Sequence, residues 1–344
     1  MALVKLKGSA PKAHPNDEAP RDGRGRPFII QEHGGKPITL TRTTTYVDAI
    51  EDKTGLTAWK QRETMIGLAE KEFAAQGDRD PSTVNRVVSL HRDLLDYTAD
   101  RNEDEARKVK RALNAMAEEC MDAAGANRKR EQGTHLHKLS EFVDQGIPLP
   151  DDISDVDLLD MMAYMEATIP LEVIAIEQFV VHQGLRAGGT FDRLVHYTGP
   201  GPDGAPVDGY FIADLKTGSV ELGYTKIAAQ LAIYANSQRY DFKKFRPDTS
   251  DKKLFDQWKK TIFTAEEGRS LYSPILEGEG VSKSWGIIIH LPEGSGECEL
   301  LWVDLEHGWR AALECQRIRE LRGVGFKKVM RPVEWSTAED DLTS

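Results

Sequence analysis

From residue 171 onward the chain breaks into short runs of β-branched and aromatic residues. "LEVIAIEQFVVHQ", "GGTFDRLVHY", "GYFIADLKTG", "SWGIIIHLP" and "ECELLWVDL" each read as a strand. Among them, "YTKIAAQLAIYANSQ" and "GWRAALECQRIRELRG" carry apolar positions at helical spacing. "GTHLHKLSEFVDQG" predicts a helix from Thr134, with Leu136, Leu139 and Val143 as its apolar stripe. The N-terminal third has no strand pattern. "RTTTYVDAIEDKTGLTAWKQRETMIGLAEKEF" predicts a helix capped by Thr44 or Thr45. Asp80 and Pro81 open a second, with Val84, Val87, Val88, Leu90, Leu94 and Leu95 on a broad apolar side. "NEDEARKVKRALNAMAEECMDAAGANRKREQ" predicts a third, whose charges read as a solvated face. Helix, three strands, helix and further strands describe one α/β layer structure. The N-terminal helices, 28–130, pack beside it as an accessory region. Residues 1–27 and 326–344 read as tails.

Composition narrows the class. The 344 residues suffice for one large domain or two modest ones. A net charge of −11 argues against a generally basic protein that coats nucleic acid. It leaves room for a nucleic-acid enzyme, because a local groove and a metal ion can supply positive charge. Cys120, Cys298 and Cys315 are odd in number and lack a C-x-x-C, which predicts reduced thiols in a cytoplasmic protein. No run approaches the roughly 18 apolar residues of a membrane span, and no signal-peptide core opens the chain. Gly199, Gly201 and Gly204 spell G-x-G-x-x-G. A dinucleotide site needs that pattern at a helix start. Here Pro200, Pro202 and Pro206 share the loop and a strand follows, so the stretch reads as a hairpin.

The chemistry concentrates where charge interrupts apolar strands. Asp214 and Lys216 alternate onto one face of a strand whose two faces are otherwise apolar, so that strand reads as central. A hairpin sets Asp192 of the preceding strand beside Asp214. Two adjacent carboxylates repel, and a divalent cation relieves them. Oxygen ligands suit Mg²⁺ or Mn²⁺. Lys216 then serves a phosphate oxygen or an attacking water. An ordinary surface ion pair between Asp214 and Lys216 is the competing reading.

Four segments together resemble the RecB-type branch of the PD-(D/E)XK nuclease superfamily. They are G-T-x-x-H at Gly133, Thr134 and His137, "GTFD" at Gly189–Asp192, "DLK" at Asp214–Lys216, and Q-x-x-x-Y at Gln230 and Tyr234. They occur in family order within about 100 residues, as motif reading requires. The resemblance covers roughly 131–238 and extends more loosely to 323. It implies a restriction-endonuclease-like core over 131–325, with a central mixed sheet flanked by helices. It implies metal ligation by His137, Asp192, Asp214 and the Leu215 carbonyl. Lys216 would activate the water, with Asp214, Asp192 and Gln230 in the catalytic set. Tyr234, Gln230 and Thr134 would contact the nucleic-acid backbone, or Gln230 and Tyr234 would support Lys216. Glu177 and Glu141 would act in a supporting shell, Glu177 alternatively being a second-metal ligand or an ordinary exposed strand residue.

The function implied is a Mg²⁺- or Mn²⁺-dependent deoxyribonuclease, an exonuclease of recombination or repair, with DNA as substrate and a single-strand annealing recombinase as a partner. A non-catalytic nucleic-acid-binding protein on the same fold and a structure-specific endonuclease remain as alternatives. Some relatives carry an iron–sulfur cluster on four cysteines; three cysteines predict none here. "KRALNA", "NRKR" and "FKKFRPDTSDKKLFDQWKK" offer basic groups for a DNA channel, with Trp258 or Phe255 stacking on bases.

Overall fold

A computed structural model describes residues 19–74, 82–278 and 280–330. In chain order the elements begin with β1 (Phe28–Ile29), β2 (Ile38–Thr39), β3 (Thr41–Arg42) and α1 (Thr43–Val47). Helices α2 (Thr54–Ala74), α3 (Thr83–Ala99), α4 (Glu103–Ala123), α5 (Arg128–Asp144) and α6 (Asp155–Ala167) follow. Next come β4 (Leu171–His182), β5 (Ala187–Pro200), β6 (Pro206–Lys216), α7 (Tyr224–Ala235) and β7 (Gln238–Tyr240). The chain continues through α8 (Lys252–Trp258), α9 (Ala265–Arg269), β8 (Tyr272–Ser273), β9 (Trp285–His290), β10 (Glu299–Asp304), α10 (Leu305–Arg322) and α11 (Phe326–Val329).

The main sheet has the order β10-β9-β6-β5-β4-β7-β8, with β3 added alongside β5. It is mixed: β6 runs parallel to β9, while β4, β5 and β6 form an antiparallel meander. Strand β6 is therefore central, as its two apolar faces require. Phe211, Ala213 and Leu215 face Leu136 and Leu139 of α5. Tyr210 and Ile212 face Leu231 and Tyr234 of α7. Helices thus cover both faces of an α/β sheet. The 201–205 segment, bracketed by Pro200 and Pro206 at the strand ends, is the β5–β6 hairpin loop, with Gly204 at φ +81°.

Several sequence expectations change. The first predicted helix divides into α1, a 3₁₀ turn at Asp48–Ile50 and α2. Its N-cap is Arg42 without a side-chain bond, not Thr44 or Thr45. Asp80 and Pro81 lie outside the described residues; the Ser82 hydroxyl caps α3 by accepting from the Asn85 N–H. The broad apolar side of α3 stays open, with Val84, Val88 and Leu95 exposed. The charged α4 buries Val109, Met116 and Cys120 against its neighbours. Helix α5 starts at Arg128 rather than Thr134. The tail reading of 1–27 fails in its last part, because Ala19 is buried with Ile29, Leu40 and Phe179. Residues 1–18 and 331–344 lie outside the described residues.

Helix α6 has no counterpart in the sequence pattern, and its buried side mixes Asp157 and Asp160 with Met161 and Tyr164. Asp157 and Asp160 are buried while Leu158, Leu159, Met162 and Met165 are exposed. Asp160 accepts the Gly294 and Gly296 N–H groups at 2.8 and 2.9 Å, which offsets its burial.

Helices α7 and α10 meet at Gly308, where an added Cβ would lie 2.1 Å from the Ala228 carbonyl oxygen. Gly308→Ala is expected to destabilise the protein by about 1–3 kcal/mol in urea unfolding, because the backbones must move apart. An unchanged midpoint would contradict this packing.

A candidate active site where β4, β5 and β6 meet

Register alone brings three carboxylates into line. Arg193 pairs with Ala213, so the next step along the β5–β6 ladder sets Asp192 across from Asp214. On the other side, Ile176 pairs with Arg193 and Gln178 with Phe191, which leaves Glu177 flanking Asp192. Glu177 adopts φ +50°, a left-handed conformation that a glutamate in a strand occupies only under strain. Like charges directly across strands destabilise a sheet, so this row needs compensation.

Lys216 supplies part of it. Its ammonium forms an ion pair with Asp214, whose side chain is 2% exposed. Burial opposes the lysine's charge, but Asp214 and Asp192 outweigh it and hold the ammonium above the usual lysine range. Asp192 accepts the Leu215 N–H at 2.9 Å. Both aspartates are nevertheless pushed up, by burial first, and for Asp214 by Asp192 next. Glu177 is also raised, by burial of its carboxyl and then by Asp192 and Glu141, although its side chain reaches the surface. Glu141 itself is raised, chiefly by burial.

Helix α5 contributes His137, whose Nδ1 lies 3.5 Å from Asp192 Oδ2. Burial pushes its pKa down to about 4; Asp214 opposes that shift, and Lys216 and Arg193 assist it. The ring also hydrogen-bonds the Leu215 backbone. A neutral imidazole is the form that ligates metals. Gly133 is required beneath it, since a Cβ there would lie 2.8 Å from Thr217 Oγ1. Helix α7 contributes Gln230, whose amide donates to the Tyr234 hydroxyl at 3.4 Å. Both are buried, and Tyr234 packs on Phe191 at 6.4 Å between ring centroids. Of the two roles implied for this pair, burial fits support of the site rather than contact with a substrate. Thr134 is exposed on the same helix as His137.

The donor set suits a hard divalent cation: carboxylates in excess over cations, a neutral imidazole and a backbone carbonyl. Among the described residues, however, no three His, Cys, Asp or Glu side chains are already spaced to hold a metal ion. The physical reason is visible at Asp214, whose carboxylate is turned onto Lys216.

The sequence did not point to the groups behind this row. Arg193 is 1% exposed, and its Nε donates to Asp144 Oδ2 at 2.5 Å. A charged residue next to Asp192 in an apolar strand was the available signal. Phe255 and Trp258 stack on each other at 5.9 Å, with Phe28 edge-on to Phe255 at 5.6 Å. The Trp258 indole donates to the Phe245 carbonyl. Both rings are half-buried. The three cysteines are free, Cys120 and Cys315 being buried.

No protein-family model matches the chain, and no curated protein matches it. No helix among the described residues is long and apolar enough to cross a membrane.

The low His137 pKa has a definite consequence for the metal-free protein. Between the ordinary value of 6.5 and about 4, the unfolded chain binds a proton at His137 that the folded chain does not. This contribution to stability is complete above the unfolded pKa and declines as pH falls through that window. The His137 ring should titrate near 4 by NMR, and His137→Gln should flatten this part of the stability–pH curve. A midpoint at or above the ordinary value would contradict the geometry.

Proposed function

We propose that the chain is a metal-dependent deoxyribonuclease on a restriction-endonuclease-like core, acting as a DNA exonuclease in recombination or repair. The observation that carries this reading is the aligned Glu177, Asp192 and Asp214 carboxylates with Lys216 and His137 at one sheet end. A structural ion pair needs one aspartate and one lysine. It gives no reason for a second and third carboxylate beside it, both raised in pKa chiefly by burial at the same place.

His137, Asp192, Asp214 and the Leu215 carbonyl would hold Mg²⁺ or Mn²⁺. When bound, such an ion polarises the scissile phosphate and makes a coordinated water more acidic. Lys216, released from its full pairing with Asp214, would orient that water and balance charge on the phosphate. The Leu215 N–H keeps Asp192 in a fixed rotamer. Gln230 and Tyr234 close the floor behind Asp214 and keep it dry. Cleavage to a 5′-phosphate and a 3′-hydroxyl is what the resemblance implies.

One observation favours a second reading, a nucleic-acid-binding protein without activity: among the described residues, no three donors are already spaced for a metal. Digestion separates the two. With Mg²⁺ or Mn²⁺, the wild type should degrade linear DNA and spare closed circles. Closed circles cut as fast as linear DNA would indicate an endonuclease, and no cleavage of any DNA would favour the binding protein.

Two substitutions test the roles. Lys216→Ala should keep fold and DNA binding and lose about 10²–10³-fold in turnover, the scale of removing one charge-stabilising group. Wild-type turnover by that variant would refute the assignment. Asp214→Asn should abolish the rise in melting temperature that Mn²⁺ gives the wild type. That rise corresponds to about 2.7 kcal/mol at a hundred times Kd. An equal rise in both proteins would place the metal elsewhere.

A further inference from the structure

Helix α5 carries His137, Ser140 and Asp144 along one face, while strand β5 sends Asp192 and Arg193 to opposite faces. From α5, His137 faces Asp192, while Ser140 and Asp144 follow at helical spacing. From β5, Asp192 faces the site and Arg193, its neighbour, projects to the opposite side. There a continuous chain of hydrogen bonds forms. The Tyr164 hydroxyl of α6 donates to Asp144 Oδ1 at 2.6 Å. Arg193 Nε donates to Asp144 Oδ2 at 2.5 Å, and Arg193 Nη2 donates to Ser140 Oγ at 2.6 Å. Ser140 Oγ in turn donates to the His137 carbonyl at 2.7 Å. The guanidinium also lies 5.5 Å from the Tyr164 ring centroid. Arg193, Tyr164 and Ser140 are at most 1% exposed.

We propose that Arg193, with Asp144, Ser140 and Tyr164, is a positioning device that sets the register of α5 on β5 so that His137 meets Asp192 as a metal-binding pair. The inference rests on the nuclease reading above. Two arguments lead to it. First, burying a charged pair in a core is a poor source of stability, since apolar residues of similar volume do as well or better. What the pair adds is direction: a bidentate donor fork admits one relative placement of helix and strand. Second, the chain of bonds ends on the backbone of His137 itself. A one-residue slide of α5 would break the three bonds that cross from α5 to β5 and α6, and carry the imidazole away from Asp192. Leu136 and Leu139 pack on the same sheet, but apolar contacts alone tolerate small slides. The arrangement resembles the partners behind a metal ligand, whose loss typically weakens binding about 10–100-fold.

The test uses the full chain and Mn²⁺ alone, read by the electron paramagnetic resonance signal of free Mn²⁺. Wild type, the apolar pair Arg193→Met with Asp144→Leu, and Ser140→Ala are compared for Mn²⁺ affinity, melting temperature and the His137 ring resonance. The apolar pair is expected to melt within a few degrees of wild type and to bind Mn²⁺ at least about tenfold more weakly. Ser140→Ala introduces no unpaired charge and guards against a pair that fails to fold. It should shift the His137 resonance, leave that of the distant His196 in place, and weaken Mn²⁺ several-fold. Arg193→Lys reaches Asp144 or Ser140 but not both, and should fall between wild type and the pair. Wild-type affinity together with an unmoved His137 resonance in the folded variants would overturn the positioning role and leave the nuclease reading standing. A wild type that binds no Mn²⁺ would overturn the metal reading itself, and this proposal with it.

Discussion

The structure turns on one electrostatic constraint: three acidic side chains are held in a row by hydrogen-bonding register that the sheet cannot relax. Glu177, Asp192 and Asp214 come from three adjacent strands, and the backbone ladders fix their spacing. A single ammonium, Lys216, cannot neutralise them all. Burial raises all three carboxyl groups, Asp192 adds to the rise at Glu177 and Asp214, and Glu177 holds a left-handed backbone beside them. Strain and uncompensated charge at one place are what a protein retains when a ligand supplies the missing charge.

The rest of the fold can be read as a frame for that row. Helix α7 closes one face with Leu231 and Tyr234, and α5 closes the other with Leu136 and Leu139. This removes water and strengthens every interaction among the charges. It also explains why Gln230 and Tyr234 lie buried: they are the dry floor beneath Asp214. The N-terminal helices α2, α3 and α4 pack mainly on one another. Gly67 of α2 is close enough to α4 that a Cβ would lie 1.6 Å from the Cys120 carbonyl oxygen. That close contact accounts for a buried Cys120 in a helix whose sequence reads as solvated.

Much of the central layer was legible because period-two alternation and strand length are local signals. The pairing of Asp192 with Asp214 followed from a hairpin flanked by prolines and glycines. The faces of β6 followed from alternation alone. What stayed illegible depends on distant partners. Helix α6 hides Asp157 and Asp160 and exposes leucine and methionine. Asp160 can join Met161 and Tyr164 on the buried side because loop N–H groups at Gly294 and Gly296 satisfy it from far along the chain. Arg193 reads as an ordinary surface charge until Asp144 and Ser140 are seen to receive it. Sequence likewise does not reveal that Phe28 lies edge-on to the aromatic residues of α8.

The most direct measurement is an anomalous difference map from crystals of the protein soaked in Mn²⁺. The account predicts a manganese peak with Asp192 and Asp214 oxygens, the Leu215 carbonyl and a His137 nitrogen at about 2.0–2.6 Å. Lys216 should have moved off Asp214 in the same map. A Mn²⁺-saturated crystal with no peak between the two aspartates, and Lys216 still paired to Asp214, would contradict it.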